Sequence, residues 1–442
     1  MKLWFWKEYY TGKIFIDISP NVKMNEVLGL KCVSCGREFQ PDELDYTCPD
    51  CGPLLGTLDV HYDCSAAAQE LTRSYLAQNH EWSHWRYLPV LPIKNKDVIQ
   101  PLSVGWTPIY RALNLEQEWN VQAIWIKDDG RNPTASLKDR ASSVGVVKAL
   151  EKGATTVTAA STGNAASSWS AFTALANLKT VIFVPHDAPR AKMAQLLLYG
   201  ATVIQVQGTY DEAFELCCQS AEKWGWYNRS TAINPYLGEG KKTAALEICE
   251  QLHWEVPDYV FVSVGDGCIL QGMWKGFKDF YELKLIDRLP KMIGVQAEGC
   301  APLVTAWETG AKLSQPIQPK TIADSISVGI PRDQVKALRA VRESEGQFVA
   351  VSDEEILSAI SILAKKVGVL AEPAGATGLA GLKKLIEQDV CGSQDRVAVM
   401  VTGHGLKDIE GMMKAVNQKP MEVENSLDDV EEKLEEIEER KA

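Results

Sequence analysis

Lys138 lies in the stretch Asn132-Pro-Thr-Ala-Ser-Leu-Lys-Asp-Arg140, whose residue types predict the start of a helix. Ser136 and Asp139 have the spacing of a capping box, which would begin a helix just before the lysine. The positive end of the helix dipole disfavours an ammonium group and so favours the neutral, nucleophilic amine. An amine in that state can form an imine with a carbonyl group. Taken alone, the stretch also fits an ordinary surface lysine.

Three further segments with small and polar residues follow predicted strands. Ser161-Thr-Gly-Asn164 opens a predicted helix, whose backbone N–H groups can bind a carboxylate or a phosphate. Gly265-Asp-Gly267 lets the backbone approach a phosphate, provided that the carboxylate of Asp266 points away. In Thr402-Gly-His404 the hydroxyl can hydrogen-bond a heteroaromatic nitrogen, and the histidine is expected to be structural. Each segment alone is also typical of an ordinary loop.

Apolar, β-rich runs alternate with helical patterns from about residue 100 onwards. Strands are predicted at Gln122–Ile126, Thr155–Ala159, Thr180–Val184, Ala201–Val206, Tyr259–Val264, Met292–Ala297 and Val397–Val401. Helices are predicted between most of them, for example at Asp211–Lys223 and Lys241–Leu252. The alternation predicts an α/β fold with parallel sheets covered on both faces. Ligands of such folds bind at the carboxyl ends of the strands, so the four segments predict one shared site.

Four cysteines form a paired motif, Cys32-Val-Ser-Cys35 and Cys48-Pro-Asp-Cys51, in which a glycine follows each second cysteine. Two such turns supply four thiolates in a tetrahedron, the arrangement that structural zinc prefers. The short polar stretch between them cannot form a core, so a metal would have to stabilise it. A zinc-free, rubredoxin-like knob is the alternative. A redox role is less favoured, because neither motif ends a βα unit.

Composition narrows the classes of partner. The net charge is −12, which argues against binding to nucleic acid or to an anionic membrane. No apolar run is long enough to span a bilayer, and the aromatic N-terminus does not resemble a signal peptide. Eleven cysteines, an odd number and mostly scattered, favour reduced thiols in a cytoplasm.

The C-terminal stretch 422–442 carries ten acidic and three basic side chains. Leu427, Val430, Leu434 and Ile437 would form one apolar stripe on a helix. The helix is expected either to dock on the body, to pair with another chain, or to remain solvated.

The order of motifs resembles that of the threonine synthases, within fold type II (the β-family) of pyridoxal-5′-phosphate enzymes. The motifs are N-P-T-x-S-x-K-D-R, A-S-T-G-N, V-G-x-G, E-P-A and T-G-H-G-L-K-D, and the resemblance covers about residues 29–415. It implies a tryptophan synthase β-like fold with two parallel-sheet domains and a zinc-ribbon-like module. The ranges are 1–28 (N-terminal segment), 29–60 (module), 61–139 with 235–420 (larger domain), 140–234 (smaller domain) and 421–442 (acidic helix).

The resemblance also implies residue roles. Lys138 would bind the cofactor as a Schiff base, Asn164 would contact the oxygen on the pyridine ring, and Thr402 would bond the ring nitrogen. Ser161 and Thr162, together with Asn164, would bind the substrate. The cofactor phosphate would be held by Gly265, Asp266, Gly267, Cys268 and Ile269. For zinc, the implied ligands are Cys32, Cys35, Cys48 and Cys51.

The implied reaction converts O-phosphohomoserine and water to threonine and phosphate, with Lys138 as both anchor and acid/base. One departure bears on the substrate. Where the family has an arginine for the substrate phosphate, this chain has Leu237 in Asn234-Pro-Tyr-Leu237. Its candidate replacements are Lys241, Lys242, Lys192, Arg190 and Arg140.

Two alternatives stay open from the sequence. One is a sister enzyme of the same fold, either a serine/threonine ammonia-lyase or a β-replacement enzyme; the segment 321–329 partly resembles the ammonia-lyases. The other is a binding or regulatory protein that uses the cysteine module and the acidic tail as contact surfaces. The expected assembly, by analogy of fold alone, is a homodimer.

Overall fold

The computed structural model describes residues 27–44, 46–186, 188, 190–230, 232–416 and 419–439. The predicted N-terminal segment, 1–28, lies outside the described residues except for its last two. The strands are β1 Val27–Cys32, β2 Glu38–Phe39, β3 Leu58–Tyr62, β4 Ile109–Arg111, β5 Ala123–Asp128, β6 Thr156–Ala160, β7 Lys179–Pro185, β8 Thr202–Val206, β9 Tyr227–Asn228, β10 Tyr259–Ser263, β11 Lys291–Ala297, β12 Gln347–Val351 and β13 Arg396–Val401.

The α-helices surround these strands. They are α1 Gly52–Leu55, α2 Cys64–Glu70, α3 Arg73–Gln78, α4 Leu113–Trp119, α5 Lys138–Glu151, α6 Asn164–Leu175, α7 Arg190–Leu198, α8 Tyr210–Trp224, α9 Tyr236–Gln251, α10 Cys268–Glu282, α11 Pro302–Glu308, α12 Gln334–Glu343, α13 Asp353–Ile362, α14 Pro373–Glu387, α15 Ile409–Met413 and α16 Leu427–Glu439. Within the described ranges, no helix combines the length and the apolar character needed to cross a membrane.

The strands form three sheets, and the predicted α/β fold class is confirmed. The largest sheet has the order β12-β11-β10-β13-β5-β4, and the second has the order β8-β7-β6-β9. Both are parallel except at β4, a short edge strand that runs antiparallel to β5. Every predicted strand lies within two residues of its observed bounds, whereas β1, β2, β3, β4, β9 and β12 were not predicted. The central strand β13 has a run of fully buried apolar residues, as expected for a sheet covered on both faces.

The third sheet, β2-β1-β3, carries the cysteine module and packs against the body. Its apolar residues share one core with Trp85 and with Val144 and Val147 of α5. β1 begins two residues before the range 29–60 predicted for the module, β3 ends two residues after it, and the domain boundaries stay a prediction. The predicted acidic helix is α16, and its stripe residues Leu427 and Leu434 are exposed.

A buried ion-pair network joins β5, α5 and α9. The guanidinium of Arg140 donates to both carboxylate oxygens of Glu247, at 2.5 and 2.7 Å, and to Asp129 at 2.6 Å. Lys127 Nζ donates to Glu247 at 2.6 Å. Desolvation raises the pKa of Glu247, but the charges of Arg140 and Lys127 outweigh it and hold the pKa at about 2. The network therefore fixes α5 against α9 immediately below Lys138.

We expect Glu247→Gln to lower the free energy of unfolding by about 3–5 kcal/mol, because it leaves two buried cations without their shared anion. Urea denaturation at neutral pH measures this loss. The difference from the wild type should shrink as the pH falls from 4.5 towards about 2, where the wild-type carboxylate itself becomes protonated. The control is Glu118→Gln, which breaks the exposed pair with Lys366 and should cost less than about 1 kcal/mol. Equal losses in the two variants would contradict the role of the network.

Candidate active site

A strained loop presents Lys138 as the first residue of α5. The Leu137 N–H donates to the Thr402 carbonyl at 2.9 Å, and the His404 N–H donates to the Ala135 carbonyl at 3.0 Å. Ala135 itself has a φ of +62°, a left-handed conformation that costs energy for a residue with a Cβ. The two hydrogen bonds to the segment after β13 hold the loop in this conformation.

The predicted capping box is wrong, although the helix does begin beside Lys138. No side chain caps α5, and the buried Ser136 Oγ has no hydrogen-bond partner. Asp139 instead accepts the backbone N–H of Thr134 at 2.6 Å and its hydroxyl at 2.5 Å. The acidic residue thus closes the preceding turn, and the tertiary bonds to the segment after β13 define the helix start.

The cavity beside Lys138 has a volume of about 430 Å³ and lies at the carboxyl ends of β6 and β10. Nearly all of the predicted site residues line it: Lys138, Ser161, Thr162, Asn164, Gly265, Asp266, Gly267, Cys268 and Ile269. The loop 324–328 forms the opposite wall. This loop lies in the segment that resembles the ammonia-lyases, and it was not predicted to line the site.

Lys138 is poised to lose its proton. Desolvation first, and then the positive charge of Lys241, lower its pKa to about 8, with Glu372 acting in the opposite direction. Within the described residues Lys138 makes no hydrogen bond or ion pair that would fix the ammonium form. A substantial fraction of the neutral amine is therefore present near neutral pH.

The segment 265–269 forms a backbone cradle at the start of α10. Gly267 has a φ of +95° and stands immediately before the helix. A Cβ on Gly265 would lie 3.0 Å from the Cα of Ile326, so the cradle requires glycine at both positions. Asp266 Oδ1 accepts the backbone N–H of Arg332 at 3.1 Å, which anchors the carboxylate although it still lines the cavity.

Glu372 is a buried acid that the sequence interpretation did not identify as a site residue. Asn164 donates its amide to Glu372 Oε1 at 2.7 Å. Burial raises the pKa of Glu372 to about 7, against the lowering effect of the Lys138 charge. Asn164, a predicted site residue, therefore lines the cavity and is hydrogen-bonded to a buried acid. The sequence signal for this acid is its place in the E-P-A motif, for which no role in the site was predicted.

Thr402 lies at the end of β13, and its carbonyl holds the Lys138 loop. Its side chain is buried and is not among the residues that line the cavity. His404 Nδ1 accepts the N–H of Leu406 at 3.2 Å, which is the structural role expected for this histidine. The contact of Thr402 with a ring nitrogen stays a prediction.

The candidate substitutes for the missing arginine differ in their surroundings. Arg140 belongs to the buried network, Lys242 pairs with Glu239 and Asp279, and Lys192 pairs with Asp324. Lys241 lines the cavity and, within the described residues, has no ion-pair partner. The side chain of Arg190 lies outside the described part of the chain.

The four predicted metal ligands converge. The Sγ atoms of Cys32, Cys35, Cys48 and Cys51 all lie within 4.8 Å of one another. Cys35 Sγ and Cys48 Sγ are 3.8 Å apart, close to the edge of a tetrahedron with metal–sulfur bonds of about 2.3 Å. Gly36 and Gly52, after each second cysteine, have φ values of +75° and +71°, as the tight turns require.

The family model described as pyridoxal-phosphate dependent enzyme matches residues 101–403. The chain is 41% identical to the threonine synthase of Methanocaldococcus jannaschii, over 92% of this chain and 99% of the relative. It is 39% identical to that of Methanosarcina acetivorans, over 92% of this chain and 98% of the relative.

Solved structures share the fold at lower identity. Diaminopropionate ammonia lyase from Escherichia coli superposes with a TM-score of 0.62 at 20% identity, covering 70% of this chain and 87% of that one. Threonine deaminase isoform 2 from Solanum lycopersicum gives a TM-score of 0.60 at 21% identity, covering 70% and 83%.

We expect the amine of Lys138 in the cofactor-free protein to react with an acylating reagent with a half-maximal rate near pH 8. The physical reason is that desolvation and the Lys241 charge favour the neutral amine. Mass spectrometry of digests labelled over a pH series measures the modification, and exposed lysine peptides from the same digests are the reference. A midpoint for Lys138 close to the ordinary lysine value of 10.5 would refute the electrostatic argument.

Proposed function

The chain belongs to the threonine synthases among the pyridoxal-phosphate-dependent enzymes, and we propose that it converts O-phosphohomoserine and water to threonine and phosphate. The observation that carries the proposal is Lys138 beside the cavity and the glycine cradle, in a chain similar to threonine synthases over most of its length. The enzyme is a lyase, and its substrate is an amino acid.

The residues around the cavity fit pyridoxal phosphate. The volume of about 430 Å³ is within the range of cofactor sites, roughly 300–1,000 Å³. Lys138 offers an amine that has no competing partner in the described part of the chain. The segment 265–269 contains the start of α10. Backbone N–H groups at the start of a helix bind a phosphate favourably. When bound, the cofactor supplies an electron sink for negative charge that develops at the Cα of an amino acid.

Lys138 is the base in this proposal. Its lowered pKa lets the amine remove a proton from the substrate Cα and return protons along the substrate chain. Glu372 has a pKa raised to about 7, so it can hold a proton close to Lys138 and to Asn164. Phosphate leaves from the substrate Cγ, and water adds at Cβ.

The start of α6 is the proposed carboxylate site. Ser161, Thr162 and Asn164 line the cavity there, and the backbone N–H groups of the first helical turn favour an anion. This arrangement orients the substrate amine towards Lys138 on the neighbouring helix. Thr402 is assigned to the ring nitrogen of the cofactor on the family resemblance.

We further propose that the four-cysteine cluster binds one structural zinc ion. The support is the convergence of four thiol groups at tetrahedral spacing in a small module whose apolar residues pack in a core shared with the body. All eleven cysteines lie in the described part of the chain as free thiols, which supports a cytoplasmic location. A homodimer is proposed by analogy of fold alone.

The purified enzyme is expected to release threonine and inorganic phosphate in equal amounts from O-phosphohomoserine. Lys138→Ala should reduce this activity by a factor of at least about 1,000, because anchor and base are lost together. Separating the products by chromatography and assaying phosphate measure both outcomes. L-Threonine is the comparison substrate. Formation of 2-oxobutanoate from threonine, without phosphate release from O-phosphohomoserine, would show a sister ammonia-lyase instead.

Metal analysis is expected to find one zinc ion per chain. Chelation, or Cys48→Ser, should lower the melting temperature by on the order of 5 °C or more, because binding energy and folding energy are coupled in such modules. Cys64→Ser is the control, since this exposed thiol lies outside the cluster and should leave the zinc content unchanged. A metal-free protein of unchanged stability would favour the zinc-free knob.

A further inference from the structure

Eight lysine and arginine side chains are buried in the described part of the chain, and they divide into two groups. Six have a carboxylate oxygen within 4.0 Å: Arg86, Lys127, Arg140, Lys148, Lys242 and Lys336. Arg229 and Lys241 have none among the described residues. An unpaired charge in the interior is unfavourable, so two such residues close together indicate a site for an anion.

Arg229 directly follows β9 and is 2% exposed. Its backbone N–H donates to the Thr158 carbonyl at 2.9 Å, whereas its buried side-chain Nε has no hydrogen-bond acceptor. Burial lowers its pKa to about 10, with Cys268, Tyr210 and Asp266 acting in the opposite direction. Those three residues line the cavity, so the guanidinium lies just behind its wall.

Lys241 approaches the same place from α9. It is 3% exposed and lines the cavity directly. A Cβ on Gly272 would lie 3.0 Å from the Cβ of Lys241, which places the lysine beside the first turns of α10. Its charge also acts on Lys138 and on Cys268, the first residue of α10. Both unpaired cations therefore lie near the start of this helix.

The only carboxylate in the cradle does not neutralise them. Asp266 already accepts the Arg332 N–H, and no carboxylate oxygen of the described residues is within 4.0 Å of Arg229 or Lys241. Two cationic side chains, Arg229 and Lys241, therefore lie near one carboxylate, that of Asp266. The positive end of the α10 dipole adds to this excess. A dianion with several acceptor oxygens would neutralise this excess of positive charge.

Leu237 packs between helices and does not line the cavity. It is 1% exposed and faces α5: a Cβ on Gly145 would lie 2.9 Å from its Cδ2. Position 237 is thus filled by packing between helices, and Lys241, one turn further along α9, is the cation that reaches the cavity. Arg229 contributes a second cation from a different element.

From these observations we infer that Arg229 and Lys241 are the paired cationic ligands of a phosphate monoester at the edge of the 265–269 cradle. The inference rests on the proposed function, which supplies two such groups, the phosphate of the cofactor and that of the substrate. Both are doubly charged near neutral pH and present oxygens that suit a guanidinium and an ammonium group.

Arg229→Gln and Lys241→Gln test the inference, with Lys148→Gln as a matched control that removes a buried lysine far from the cavity. The cofactor-free proteins are titrated with pyridoxal 5′-phosphate and with pyridoxal, which lacks the phosphate. In a second arm, the KM for O-phosphohomoserine and inhibition by inorganic phosphate are measured at saturating cofactor. Arg229→Lys and Lys241→Arg are the conservative variants and should retain most of the affinity.

A loss of at least roughly tenfold in affinity for pyridoxal 5′-phosphate, with pyridoxal unchanged, assigns the pair to the cofactor phosphate. A similar rise in KM and in the inhibition constant of phosphate, with cofactor affinity unchanged, assigns it to the substrate phosphate. The cofactor-free Gln variants should also melt no lower than the wild type, whereas Lys148→Gln removes the ion pair between Lys148 and Glu151 and should melt lower.

Unchanged binding in both arms, or equal losses for pyridoxal and its phosphate, would overturn the inference. If Arg229→Gln does not fold, Lys241→Gln decides the question alone. Failure of the proposed function has a different signature, because the wild type would then bind the cofactor through its phosphate yet release no threonine from O-phosphohomoserine.

Discussion

The buried contact between Arg140 and Glu247 is the interaction on which the site depends. It joins α5 to α9, and through Asp129 and Lys127 it also joins both helices to the end of β5. Lys138 precedes Arg140 by two residues, and Lys241 lies on the same helix as Glu247. One network therefore sets the distance between the reactive amine and the cation that helps to lower its pKa. Helices free to slide would lose this electrostatic coupling.

Burial in and around the cavity has different consequences for its reactive groups and for its cations. Desolvation favours the neutral form of Lys138, and it also favours the protonated form of Glu372, so the two pKa values approach each other, at about 8 and about 7. Groups matched in this way exchange a proton at little cost. The opposite problem arises at the cradle, where the two buried basic side chains Arg229 and Lys241 need an anion. The low-polarity surroundings thus favour the neutral forms of Lys138 and Glu372, which suits proton transfer. Beside the buried cations the same surroundings favour binding of an anion, which suits phosphate.

The sequence predicts the sheets well and the electrostatics poorly. Apolar, β-branched runs such as that of β10 gave strand bounds within two residues, because a strand buried on both faces leaves a continuous signal. The edge strand β4 has only three residues and left no such signal. The capping box of Ser136 failed because tertiary bonds to Thr402 and His404 replaced local capping. Arg229 has no carboxylate partner among the described residues. This depends on side chains that are distant in the sequence, so no local pattern encodes it.

The most direct measurement of the central claim is to reduce the cofactor-loaded enzyme with borohydride and map the modified peptide. Reduction makes the bond between cofactor and lysine permanent, so mass spectrometry identifies the anchoring residue. The structure predicts the modification on Lys138 alone, because its amine lines the cavity, has a lowered pKa and makes no hydrogen bond or ion pair with any described residue. Modification of Lys241 or Lys407 in its place, or of no lysine, would contradict the account.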